Sequence, residues 1–309
     1  MTSHSSGEIG AGYAAGAICR EFAMAMAYFR DLVTMKAQKK LRGLRGGMLA
    51  VGLSQKETEK YIQRVTSGNV IVACVNSPSS VTVSGDAALQ PMIESDKAFA
   101  RKFCVDAAYH SHHMQIVAED YLDCLRDFEP EDDFGDVIFP LSVTEGLITS
   151  AKELDAGHWV QNILQPVLFN DSLNMCLESP LDNSKPSVDM LIEVGPHSAL
   201  AEPIRQIMKR PQLKGLTIPY TSCLVREEDA VQTRQAMACL LLSKGYPVNL
   251  RLINFPWSTD NLQVLHDLPS YPWNHKVHHW HESRLNRQHR LRRHRRHDLL
   301  DSQQWTRTL

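Results

Sequence analysis

Phe22, Met26, Phe29 and Val33 fall on one face of a 3.6-residue repeat, so this stretch predicts an amphipathic helix with a single inward stripe. A short small-residue segment at 7–17 leads into it. Lys39, Lys40 and Arg42 put positive charge near its C-terminus, as the macrodipole favours, and Gly46-Gly47 breaks it. From Gly47 to about Ala107 the elements shorten. A strand over 48–53, a helix opened by the capping box Ser54-x-x-Glu57 and a strand over 70–75 precede a turn at Asn76-Ser77-Pro78. A strand over 80–84, Gly85, the N-cap candidate Asp86, a helix through Ser95 that contains Pro91, and a strand near 99–105 follow. The order βαββαβ is that of a split, ferredoxin-like unit.

Helix and strand then alternate at longer spacing: a helix near 114–128, a strand near 137–143, a helical stretch at 159–164 and a strand at 189–194. Gly195-Pro196 ends that strand and Ser198 is placed to cap a helix over 199–208. A strand over 216–220 and a helix over 230–244, stopped by Gly245, complete the pattern. The class predicted is α/β. The main body comprises 1–46 and 108–222, interrupted by the small lobe at 47–107. A helix and linker occupy 223–283, where Pro247, Pro256, Pro269 and Pro272 alternate with Trp257, Trp273 and Trp280.

Composition narrows the class without changing the fold. With 43% apolar and 22% charged residues in 309, a wholly disordered or fibrous chain is excluded. No run of 18 apolar residues and no signal-type leader occurs, which predicts a soluble, cytoplasmic protein with no membrane partner. The seven cysteines are scattered and form no C-x-x-C pair, as free thiols in a reducing compartment do. A net charge of −2 conceals seven arginines between Arg284 and Arg296. Such a tail suggests nucleic acid, but no reading module accompanies it, so nucleic-acid binding is not expected.

Three places carry candidate chemistry. Ser3-His4-Ser5-Ser6-Gly7 differs at one position from the G-x-S-x-G nucleophile elbow, in which small neighbours let the serine project and the next N–H, that of Ser6, faces an oxyanion. Ser5-x-x-Glu8 reads equally as a helix cap. Ala108-Tyr109-His110-Ser111-His112-His113-Met114 offers a base for a serine, or structural histidines. A metal is not expected there, because no acidic or cysteine partner has ligand spacing. Arg30, beside the apolar stripe, is either an ordinary helix-surface charge or a fork for a carboxylate.

Together with longer strings these places resemble the acyltransferase domain, malonyl-CoA:acyl-carrier-protein type, of fungal highly reducing type I polyketide synthases. The strings include Ser-His-Ser-Ser-Gly-Glu-Ile at 3–9, Tyr28-Phe29-Arg30, Val81-Thr82-Val83-Ser84-Gly85-Asp86, Tyr109-His110-Ser111-His112-His113-Met114, Trp159-Val160-Gln161-Asn162 with Pro166-Val167, Glu193-Val194-Gly195-Pro196-His197-Ser198, and Leu268-Pro269-Ser270-Tyr271-Pro272-Trp273-Asn274. The resemblance implies Ser5 as nucleophile, His110 as general base, Arg30 as the clamp for a malonyl carboxylate, and Asn162 as the residue whose backbone carbonyl orients the histidine. It also implies a hydrolase-like α/β core carrying a ferredoxin-like lobe, and no bound cofactor. Malonyl-CoA is then the substrate, phosphopantetheine on an acyl carrier protein the acceptor, and neighbouring ketosynthase and dehydratase domains the partners.

The sequence departs from the family in Ser3, where glycine is usual, and in Tyr109, where phenylalanine is common. Family members also have, upstream of the nucleophile, an entering strand and a glutamine oxyanion donor. Their absence predicts a core incomplete at the N-terminus, hence a fragment, with a catalytically inactive remnant or a serine hydrolase as the alternatives. Residues 284–309 resemble the start of a dehydratase region.

Overall fold

A computed structural model describes residues 1–40, 46–86, 93, 96, 98–105, 107–144, 146–178, 188–215, 217–255, 266–272 and 282–289. The chain divides into two compact units, Met1–Pro256 and Trp257–Leu309. The predicted helix after Asp86, apart from residue 93, most of the tail and all three linker tryptophans lie outside the described residues. In the second unit, 284–289 is helical. Among the described residues no helix is long and apolar enough to cross a membrane.

The first unit opens with helices α1 (Gly7–Ala14) and α2 (Arg20–Lys40). Strand β1 (Gly47–Val51), helix α3 (Gln55–Ile62) and strands β2 (Val70–Ser77), β3 (Ser80–Gly85) and β4 (Ala100–Lys102) come next. A 3-10 turn (His112–Val117) leads into α4 (Ala118–Cys124), then α5 (Ala156–Leu164) and α6 (Phe169–Glu178). Strand β5 (Leu191–Glu193), α7 (Ala201–Met208), β6 (Tyr220–Ser222), α8 (Ala230–Ser243) and α9 (Leu250–Asn254) finish it.

β1–β4 form one antiparallel sheet in the order β2-β3-β1-β4, and β5 pairs with β6 in parallel. Period-2 alternation gives the larger sheet two faces. Leu49, Val51, Val81 and Val83 pack with Tyr61 and Ile62 of α3. Met48, Cys74 and Thr82, on alternate positions, face a cavity on the other side. The helical core lies around Met26, Val33, Tyr121, Trp159 and Ile163. A third cluster joins Ala73 and Cys74 of β2 to Val167, Leu173, Ile204 and Ile207.

Several local expectations are corrected. The small-residue segment at 7–17 is largely helix α1. Glycine disfavours helix, but a Cβ on Gly12 would lie 3.3 Å from Leu154 Cδ1, so the small residue permits close packing. Gly16, at φ +80°, then ends the helix. No strand forms over 137–143. Pro140 has no N–H to donate, and that segment forms one local bridge, between Pro140 and Leu147, while Ser142 O accepts from Leu168 N. Ser198 does not cap α7. The helix starts later, and the Glu193 carboxylate accepts from Leu200 N at 3.2 Å instead.

Candidate active site

Ser5 stands at the turn into α1 with φ 52°, and His110 has φ 56°. Both are in the left-handed region, which a non-glycine residue occupies only when its surroundings compel it. Ser5 O accepts from Glu8 N at 3.1 Å and from Asn162 Nδ2 at 3.3 Å, which secures the turn. The result brings Ser5 Oγ within 2.7 Å of His110 Nε2. His110 Nδ1 lies 2.9 Å from the backbone carbonyl of Gln165. A carbonyl only accepts, so Nδ1 carries the proton and Nε2 is free to take one from Ser5. Burial, with the positive charge of Arg30 adding to it, pushes His110 down to about 3, so the imidazole is neutral at physiological pH.

Arg30 projects from the inward side of α2 and is 6% exposed, which removes the helix-surface reading. Burial lowers its proton affinity and the neighbouring Tyr121 hydroxyl partly restores it. Its NH1 donates to Asn162 Oδ1 at 2.7 Å, and no ion pair among the described residues involves it. A buried guanidinium in this state favours an anionic ligand. His4, Ser5, Ser6, Arg30, Tyr109 and His110 line one cavity of about 580 Å³, closed on its far side by Met48, Cys74 and Thr82 of the sheet. Ser6 is the N-cap of α1 and its side chain makes no cap bond. Its backbone N–H stands at a helix N-terminus, where such groups have no intrahelical partner.

The histidine is oriented by Gln165, not by Asn162. Gln165 is the C-cap of α5, extended at φ −81° and ψ 155°, because the residue before Pro166 avoids helical geometry and its carbonyl turns off the axis. Asn162 acts through its side chain, bridging Arg30 and Ser5. The cap reading of Ser5 and Glu8 also fails: Glu8 is fully buried and meets Ser142 and His158. Ser3, where the family has glycine, is buried and donates to Glu8 Oε2 at 3.2 Å.

Folding supplies the three-histidine segment with the acid that its spacing lacks. Asp86, His112 and His113 hold their ligand-type atoms within 4.8 Å of one another. Asp86 accepts from His113 Nε2, lies 3.2 Å from His112 Nε2 and accepts from Asn69 N at 3.0 Å.

Residues 1–236 match the family model described as the acyl transferase domain. The squalestatin tetraketide synthase of Cochliobolus lunatus is 47% identical over 98% of this chain, and a highly reducing polyketide synthase of Penicillium oxalicum 49% identical over 97%. The chain spans about 12% of the length of either relative. Among solved structures, the acyltransferase domain from module 8 of the salinomycin polyketide synthase superposes with TM-score 0.69 at 24% identity, covering 80% of this chain and 55% of that one. A malonyl CoA-acyl carrier protein transacylase from Clostridium perfringens gives TM-score 0.64 at 22% identity, covering 79% and 71%. The structural likenesses speak for the α/β fold, and the sequence match over three quarters of the residues speaks for descent; the chain belongs to the acyl transferase domain family.

Proposed function

We propose that the chain transfers malonyl from malonyl-CoA to the phosphopantetheine thiol of an acyl carrier protein, as part of a polyketide synthase. The observation that carries this reading is the Ser5–His110 pair at 2.7 Å in a cavity that also holds the buried Arg30. His110 Nε2 takes the Ser5 proton as Oγ bonds the thioester carbon, the C–S bond breaks, and the coenzyme A thiolate leaves with that proton. The second half reverses the order: the pantetheine sulfur gives its proton to His110 and bonds the acyl carbon, and Oγ leaves and is reprotonated. Ser6 N–H faces the oxyanion in both halves. Arg30 pairs with the malonyl carboxylate. An acetyl donor lacks that charge-assisted bond, a loss of about 1.5–3 kcal/mol, or roughly tenfold or more.

The ketosynthase, carrier and dehydratase domains of the same synthase are the partners, the compartment is the cytoplasm, and no cofactor is bound. We read 47–107 as the ferredoxin-like lobe, inserted between 1–46 and 108–222. Strand order β2-β3-β1-β4, with α3 crossing between β1 and β2, supports it. Residues 223–283 are the helix and linker, and 284–309 the dehydratase start.

Intact-mass measurement after incubation with malonyl-CoA tests the reaction. The expected product is one malonyl ester on the chain, absent from Ser5→Ala and discharged by added carrier thiol. An ester that persists in Ser5→Ala removes the assignment to Ser5, and discharge to water as fast as to thiol makes the protein a hydrolase.

A further inference from the structure

We propose that Glu8 and Asn162 are positioning residues that aim the Arg30 guanidinium, so that acyl-group choice depends on a buried carboxylate that never meets the substrate. The inference rests on the reading of Ser5 and Arg30 given above. Neither Glu8 nor Asn162 lines the cavity; both stand behind its wall, each fully buried.

Glu8 is held by donors from four residues. Ser142 supplies its N at 2.8 Å and Oγ at 2.6 Å, His158 its Nε2 at 2.8 Å, and Ser3 its Oγ at 3.2 Å. The fourth, Asn162 Nδ2, donates to Glu8 Oε1 at 3.2 Å. Burial alone would raise the carboxyl, but the bonds from His158 and Ser142 outweigh it and hold Glu8 below the ordinary carboxylate range. Glu8 is therefore ionised, and an ionised carboxylate only accepts. Arginine only donates. An amide set between the two has one arrangement that satisfies both: nitrogen toward Glu8, oxygen toward Arg30. That is the arrangement present, with Asn162 Oδ1 2.7 Å from Arg30 NH1.

Turning the amide over would press N–H against N–H at Arg30 and oxygen against oxygen at Glu8. Glu8 thus selects the amide orientation, and the amide oxygen fixes where the guanidinium points. Asn162 Nδ2 also reaches Ser5 O at 3.3 Å, so part of any disturbance falls on the nucleophile. That part acts on every acyl donor alike. A disturbance of Arg30 acts only on donors with a carboxylate, which is what separates the two.

The test measures equilibrium binding of malonyl-CoA and acetyl-CoA to the whole chain, in a Ser5→Ala background that leaves both thioesters intact. Glu8→Gln keeps the shape but adds donor hydrogens, so nothing fixes the Asn162 amide. Asn162→Asp keeps the shape but removes the donor to Glu8 and sets oxygen against oxygen there, so Glu8 no longer holds the side chain that aims Arg30. We expect each variant to reduce the preference for malonyl-CoA over acetyl-CoA by about tenfold or more, as Arg30→Ala does, with acetyl-CoA affinity changed by less than about threefold. If a folded Glu8→Gln or Asn162→Asp protein keeps the preference while Arg30→Ala loses it, the positioning role is wrong and the clamp stands. Equal loss of both donors also overturns it, since a merely structural role predicts that. If Arg30→Ala itself keeps the preference, the reading of Arg30 as a clamp falls.

Discussion

The antiparallel sheet and the polar cluster behind Ser5 are both buried, yet they are assembled by opposite routes. In the sheet, Leu49 lies opposite Val83 and Val51 opposite Val81, and the pairing among the four strands lies within residues 47–102, with one bridge, from Cys74 to Val167, reaching outside. Glu8, by contrast, meets Ser142, His158 and Asn162, which are 134, 150 and 154 residues away. The sheet is held by apolar area, which is non-directional and forgiving of detail. The cluster is held by donors and acceptors that fit in one arrangement only. Damage to the first should therefore cost stability and leave the chemistry in place, and damage to the second should alter chemistry first.

Leu49→Ala is the strongest attempt to break that distinction. Leu49 is 6% exposed between the sheet and α3. Its truncation leaves a cavity and is expected to lower unfolding free energy by about 2–5 kcal/mol, read by chemical denaturation of the whole chain. The malonyl-to-acetyl preference of the folded fraction should not change. A shift in preference as large as that of Arg30→Ala would show that the sheet sets the geometry of the clamp and that the two regions are not separable.

The pH dependence sharpens the other half of the comparison. An ordinary histidine base, near 6.5, would be mostly protonated at pH 5 and cost about thirtyfold in acylation rate relative to pH 7 or above. His110 is pushed down to about 3 by burial and then by Arg30. A lowered value extends the basic form to lower pH, so kcat/KM for malonyl-CoA is expected to change by less than about threefold between pH 7 and pH 5. An acid limb centred near 6.5 would mean that His110 is solvated when it reacts, and the dry cluster would lose its distinguishing feature.

The same contrast decides what could be read from the sequence. The strands and the α3 cap are legible because alternation at i, i+2 and the Ser54-x-x-Glu57 pair are local signals. Ser5, His110 and Arg30 are legible through short family strings, although the segments that unite them lie 105 and 132 residues apart in the contacts that matter. Gln165 is not legible as a site residue because its contribution is a backbone carbonyl, which no side-chain motif records; the following Pro166 is the available signal. Glu8 is visible only as a cap partner, since three of its four donor residues lie far along the chain. Helix α1 is hidden by its glycines, of which Gly12 has its value in contact with Leu154 rather than in propensity.

The smallest expected effect belongs to Ser54, the purest local device in the sheet region. Its Oγ accepts from Glu57 N at 3.4 Å and donates to the Glu57 carboxylate at 2.6 Å, while Ser54 N donates to that carboxylate at 3.0 Å. Ser54→Ala removes the hydroxyl's two bonds and leaves the first turn of an eight-residue helix poorly satisfied. The expected cost is about 1 kcal/mol, or roughly 2–4 °C in the thermal midpoint. Ser54→Thr, which keeps the hydroxyl, should recover most of it. Because α3 packs on the sheet face away from the cavity, acyl preference should stay at the wild-type value in both variants. A Ser54→Ala protein with normal stability but altered preference would reverse the order argued here, since a purely local bond would then govern the site and leave the fold untouched.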